Sequence, residues 1–310
     1  MATRVLVSGA RGLIGSALLP RLRASGREVA VLTRHPAAGR HEPDAAHREI
    51  VWDPPVGRLE PRALEGLEAV VHLAGEPMGV RWTPHTRALI RESRVGGTRL
   101  LATRLAALER PPRVLVAVSA IGFYGDRGEE TLDESSAAGR GFLAGVCRDW
   151  EAAATPAAAA GIRVVHPRLG LVLAPGGGAV ARMLPLFRLG LGGPLGDGRA
   201  WWSWVAVDDV VRAIEWMLDD PALAGAVNVA APGAVRNRDF ARTLARLLGR
   251  PALLPAPAFA LRALLGGMAD EALLASARVE PARLRAAGFE FRHPELETAL
   301  RQALGRTPWP

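Results

Sequence analysis

The run Gly9-Ala10-Arg11-Gly12-Leu13-Ile14-Gly15 is the first whose residue types and spacing bear on chemistry. It follows the apolar stretch Val5-Leu6-Val7 and precedes a helical pattern, so it occupies the turn between a first strand and a first helix. There Gly9 permits the tight turn, Gly12 lets the backbone approach a phosphate, and Gly15 allows the helix to pack closely. The amides opening that helix, at Leu13 and Ile14, and its positive end attract a diphosphate. Arg34 closes the next apolar run, Val31-Leu32-Thr33, where an acid would accept from a ribose 2′-hydroxyl and an arginine attracts a 2′-phosphate. The pattern predicts a dinucleotide site that favours NADP(H), with NAD(H) as the second fit. Arg11 is a second clamp for the phosphate, and Asp53, after a third strand, is placed for the adenine amino group.

Short apolar runs alternating with longer helical patterns must position these residues. The spacing predicts strands at 4–8, 28–33, 50–52, 69–73, 113–119 and 163–167, and helices at 13–24, 83–108 and 141–160. Such alternation implies an α/β fold, a Rossmann-type doubly wound parallel sheet. After Arg168 it stops, giving way to glycine-rich loops, the tryptophans Trp201, Trp202 and Trp204, and proline-separated helices at 238–248, 258–265, 281–287 and 294–304. The expected organisation is a nucleotide-binding domain over 1–170, with sheet elements returning around 200–230, and a substrate-side, mainly helical lobe over 171–310. Asp208 and Asp209 precede a helical run and read as its N-cap.

Composition narrows the function classes. The net charge of +8 comes from arginines scattered along the chain, with no basic tract or stripe, so nucleic acid is not an expected partner. No apolar stretch has membrane-spanning length, and the chain starts without a leader pattern. A single cysteine, Cys147, fits a reducing compartment, and a cytoplasmic monomer or homodimer is expected. His72, His85 and His166 lack metal-ligand spacing, and no metal site is expected. Lysine is absent and tyrosine occurs once, at Tyr124.

Leu73-Ala74-Gly75-Glu76, Ser93-Arg94-Val95 with Gly97-Thr98, Ser119-Ala120-Ile121-Gly122-Phe123-Tyr124-Gly125, Trp150-Glu151 and Arg168-Leu169-Gly170 recur in an order that resembles the extended short-chain dehydrogenase/reductase superfamily. Within it the chain resembles an epimerase-like branch with a C-terminal region of unassigned function. Gly267 departs from that branch, which has glutamate before the methionine corresponding to Met268. The resemblance implies that Leu73, Ala74 and Gly75 face the cofactor and that Pro167 and Arg168 meet the nicotinamide end. It also implies that Ser119 binds substrate. The superfamily's catalytic tyrosine and the lysine four residues later are missing: alignment on Glu151 puts Leu143 and Cys147 in those places.

Three residues therefore stand as catalytic candidates. Ser119 offers a hydroxyl to a substrate carbonyl, Tyr124 is either a replacement phenol or a buried aromatic, and Glu76 is either a base at a strand's C-terminal edge or a cap. Two functions follow. One is an NADP(H)-dependent, epimerase/dehydratase-like oxidoreductase acting on a small molecule. The other is a non-catalytic NADP(H)-binding sensor or scaffold.

Overall fold

A computed structural model describes residues 3–34 and 47–306. The first half alternates as expected: β1 (Arg4–Ser8), α1 (Leu13–Ala24), β2 (Glu28–Thr33), β3 (His47–Asp53), the two-residue β4 (Arg58–Leu59), β5 (Ala69–His72), α2 (Pro84–Ala106) and β6 (Val114–Ala117). Next come β7 (Ser119–Ala120), β8 (Thr131–Leu132), α3 (Phe142–Ala152), α4 (Thr155–Ala159) and β9 (Arg163–Leu169). After a short β10 (Leu171–Leu173), α5 (Gly178–Arg188), β11 (Trp201–Trp202) and β12 (Trp204–Ala206), the chain returns through α6 (Val207–Asp219) to β13 (Gly225–Val229).

These strands order as β13-β9-β6-β5-β1-β2-β3-β4, parallel except where β4 folds back on β3. Alternate residues of β1 serve opposite cores. Val5 and Val7 pack with Leu18 and Leu22 of α1 and with Val210, Val211 and Ile214 of α6. Leu6 faces Leu101 and Leu105 of α2 on the other side. A sheet buried on both faces reads as the continuous apolar runs seen in the sequence. The chain leaves β1 toward β2 but resumes at β5 on the opposite side, so the carboxyl ends of β1 and β5 flank the crevice where open α/β sheets bind ligands.

The expected helix over 141–160 is two helices, because Pro156 opens α4 and cannot continue the ladder of α3. Thr83 caps α2 as a capping box with Thr86, and Pro84 stands in its first turn. The remainder includes α7 (Asn237–Leu248), α8 (Ala258–Leu265), α9 (Ala282–Ala286) and α10 (Leu296–Ala303). Trp202 and Trp204 are buried in the core that joins α5, α7 and α10.

Asp208 and Asp209 correct the cap expectation. They lie inside the first turn of α6, whose N-cap is Ala206, and both are fully buried. Asp209 accepts from the backbone N–H of Arg292 (2.8 Å) and His293 (3.0 Å), while Asp208 lies 3.5 Å from both Arg21 and Arg292. The pair therefore anchors the C-terminal segment to the sheet's helical layer. No described helix is long and apolar enough to cross a membrane.

Candidate active site

The glycine loop has the geometry its spacing requires. Gly9 has φ +68°, and a Cβ there would come within 2.8 Å of the Leu73 carbonyl carbon, so the end of β5 closes directly on the loop. A Cβ on Gly15 would stand 2.3 Å from the Gly9 oxygen, which lets the first turn of α1 pack onto it. Gly12 is the N-cap of α1, is exposed and brings no side chain to cap it. The helix thus opens with its amides and positive end uncovered, a ready anion site.

Ser8 fastens the neighbouring strand end. Its Oγ accepts from Leu73 N (3.0 Å) and Ala74 N (3.2 Å), leaving its own proton to donate to His72 Nδ1 at 2.6 Å. His72 therefore carries its proton on Nε2, which has no partner among the described residues. Complete burial lowers its pKa from 6.5 to about 4, so the ring is neutral.

On the β2 side, Arg34 is exposed and its Nη1 lies 3.3 Å from Glu76 Oε1. Arg11 projects from the loop, 3.8 Å from Glu49. Asp53 ends β3, half-buried, on the same edge.

Across the crevice the strand register builds a second cluster. Arg168 on β9 is the lateral partner of Ser119 on one side and Asn228 on β13 on the other. Its guanidinium forks onto Glu151 of α3, with Nε to Oε1 and Nη2 to Oε2 both at 2.9 Å. Ser119 Oγ donates to the same Oε1 at 2.7 Å. The remaining Arg168 nitrogen, Nη1, donates to the Tyr124 hydroxyl at 3.0 Å, which donates in turn to Asn228 Oδ1 at 2.7 Å. The Phe123 ring lies 3.4 Å from the guanidinium carbon.

Burial raises the Tyr124 pKa, and Arg168's charge and hydrogen bond only partly oppose this, so Tyr124 is a neutral phenol. Burial acts to lower the Arg168 pKa, but the bonds and charge of Glu151, together with Tyr124, outweigh it and raise the value. Leu143 and Cys147 are both buried on α3. Burial and the nearby Glu151 charge push the Cys147 thiol up to about 12, against the opposing pull of Arg94. Cys147 is thus a thiol, not a thiolate.

The structure brings Ser119, Tyr124 and Arg168 into one network and places Glu76 on the other side of the crevice with Arg34. Tyr124 is fully buried, with its hydroxyl engaged behind Arg168. Pro167 is buried in β9 beside it. Sequence reasoning used Glu151 only as an alignment anchor and passed over Asn228. The available signal for Asn228 was a lone amide in the otherwise apolar strand Gly225–Val229.

This sheet, loop and crevice define a Rossmann-type member of a nucleotide-dependent family, and comparison identifies which. Residues 5–230 match the model of the NAD dependent epimerase/dehydratase family, and the chain belongs to that family. Residues 256–303 match a domain of unknown function, DUF1731. In detail the chain is similar to an epimerase family protein of Mycobacterium bovis, at 40% identity over 97% of this chain and 98% of the relative. It is also similar to the human epimerase family protein SDR39U1, whose crystal structure with NADPH superposes with a TM-score of 0.87 at 33% identity. That match covers 98% of this chain and all of the other. A nucleoside-diphosphate sugar epimerase structure from Corynebacterium glutamicum matches at 37% identity and TM-score 0.79, over 99% of this chain and 59% of that one.

Proposed function

We propose that this protein is an NADP(H)-dependent oxidoreductase of the epimerase/dehydratase type that acts on a small-molecule alcohol or carbonyl in the cytoplasm. The observation that carries the reading is the glycine cradle: two positions where a Cβ meets backbone, and an open N-cap between them. A 2′-phosphate fits the exposed cation at Arg34, and the human relative crystallised with NADPH supports this choice. The opening amides of α1 would hold the diphosphate. Arg34 and Arg11 would take the 2′-phosphate and Asp53 the adenine. Leu73, Ala74 and Gly75 would line the middle, and Pro167 and Arg168 would stand at the nicotinamide end. When bound, the nicotinamide supplies a hydride donor or acceptor.

The chain's own groups handle the proton. The Ser119 O–H is committed to Glu151, so the lone pairs of Oγ are what it offers a substrate hydroxyl. As the substrate proton passes to Ser119 Oγ, the Ser119 proton passes to Glu151 Oε1. Arg168 holds that carboxylate in place through two bonds. Tyr124 acts from behind Arg168 as a positioning residue, and Glu76 belongs to the adenosine edge.

The test is calorimetric titration with NADPH and NADH, then turnover against a panel of ketones and sugar nucleotides. Arg34→Leu should reduce the preference for NADPH roughly tenfold or more, the worth of one charge-assisted phosphate contact. Ser119→Ala and Glu151→Gln should lower turnover about a hundredfold while binding persists. Absence of binding by any pyridine nucleotide refutes the reading. Binding with no turnover on any substrate would favour the sensor alternative, which the Leu143 and Cys147 replacements support.

A further inference from the structure

The cation offered to the 2′-phosphate already has an occupant. Arg34 follows β2 and Glu76 follows β5, the two strands that flank β1. The register brings the three carboxyl ends level, with Ser8 beside Leu32 on one side and His72 on the other. Arg34 Nη1 donates to Glu76 Oε1 at 3.3 Å, so the pair spans the edge from which the glycine loop leaves β1. Arg11, the other clamp, stands 3.8 Å from Glu49, beyond hydrogen-bond length.

Glu76 is built into that position. Its backbone N–H donates to Ser93 Oγ at 3.1 Å, and its backbone oxygen accepts from buried Arg94 at 3.0 Å, so α2 pins the main chain on both sides of the residue. The Glu76 charge also acts on Arg94, a second cation that holds the carboxylate near α2 when Arg34 turns to a ligand. The Arg34 side chain is 59% exposed and that of Glu76 38%, so a ligand can reach between them.

We infer that Glu76 sets how strongly the protein prefers NADP(H) over NAD(H), because it competes with the 2′-phosphate for Arg34. The inference rests on the cofactor reading above. A phosphate monoester carries close to two negative charges at neutral pH, and it takes Arg34 only by breaking the bond to Glu76. NADH has a hydroxyl at that place and leaves the pair intact. An exposed ion pair is worth up to about fivefold in an equilibrium constant. Removing the carboxylate should therefore tighten NADPH binding about fivefold and leave NADH binding unchanged, and salt should screen the gain.

Dissociation constants for NADPH and NADH, measured by calorimetry on the wild type, Glu76→Gln, Arg34→Leu and the double variant, test this. The amide keeps the size of the side chain, and constant NADH affinity reports an intact loop. The expected result is NADPH binding about fivefold tighter in Glu76→Gln, a gain that vanishes in the Arg34→Leu background and shrinks in about 1 M salt. Equal or weaker NADPH binding by Glu76→Gln, with both nucleotides still bound, overturns the inference and leaves the cofactor reading standing. The same gain with and without Arg34 also overturns it, because Glu76 would then act without that cation. A parallel change in NADH affinity overturns it too, because Glu76 would then only shape the loop. Binding of neither nucleotide to the wild type removes the cofactor reading and this inference with it.

Discussion

Lowering the pH from 7 to 4 should loosen the fold through His72. The residue is completely buried and neutral, with its pKa lowered from 6.5 to about 4 by desolvation. Between those values the unfolded chain takes up a proton that the folded chain refuses, so stability falls as the pH drops through that window and is unaffected above it. At about 1.4 kcal/mol per pH unit, the loss is about 3 kcal/mol by pH 4. The control is His72→Gln, which cannot titrate. It loses the bond with Ser8 and should be about 1 kcal/mol less stable than the wild type at neutral pH. Urea denaturation of both proteins across pH 4 to 7.5, followed by tryptophan fluorescence, isolates the effect because carboxylates titrate alike in both. The stability difference should shrink as the pH falls and reverse sign a little below pH 6. Parallel curves would refute the reasoning. Ser8 also holds Leu73 N and Ala74 N, so NADPH affinity should stay level through most of this range and weaken, in the wild type alone, only as the pH reaches about 4, where the folded His72 takes up its proton.

Three further outcomes are expected. Gly12→Asp places a favoured cap residue at the start of α1, so thermal unfolding should change little, while NADPH affinity falls roughly a hundredfold through like-charge repulsion in calorimetry. Tyr124→Phe leaves buried groups of Asn228 and Arg168 each short of a bond, and denaturant titration should find a loss of about 2 kcal/mol. Its turnover should stay within about tenfold of wild type, well above that of Ser119→Ala, because the phenol supports Arg168 and does not meet substrate. Asp209→Ala strips the buried acceptor from two backbone amides and should cost about 3 kcal/mol, with faster proteolysis of the C-terminal segment as a second readout.

Local pattern carried much of this fold. The apolar runs became the parallel strands because a sheet covered on both faces buries every residue, and the strand–glycine–helix order became the cradle because only glycine tolerates those approaches. The helix break at Pro156 and the burial of Asp208 and Asp209 were harder to read. A proline at a first turn and one inside a helix look alike along the chain, and a cap and a buried acceptor share the same residue types.

By itself the sequence determined the α/β alternation, the glycine cradle, the arginine where an acid would otherwise stand, and the absence of a tyrosine–lysine pair. Each is a matter of residue type at short separation, where backbone sterics and charge suffice. Only the tertiary structure decided that Ser119, Arg168 and Asn228 form one row, that Glu151 joins them, and that Glu76 stands apart. Those meetings depend on strand order and register, which bring together residues as much as 109 positions apart and leave no periodic trace in the chain.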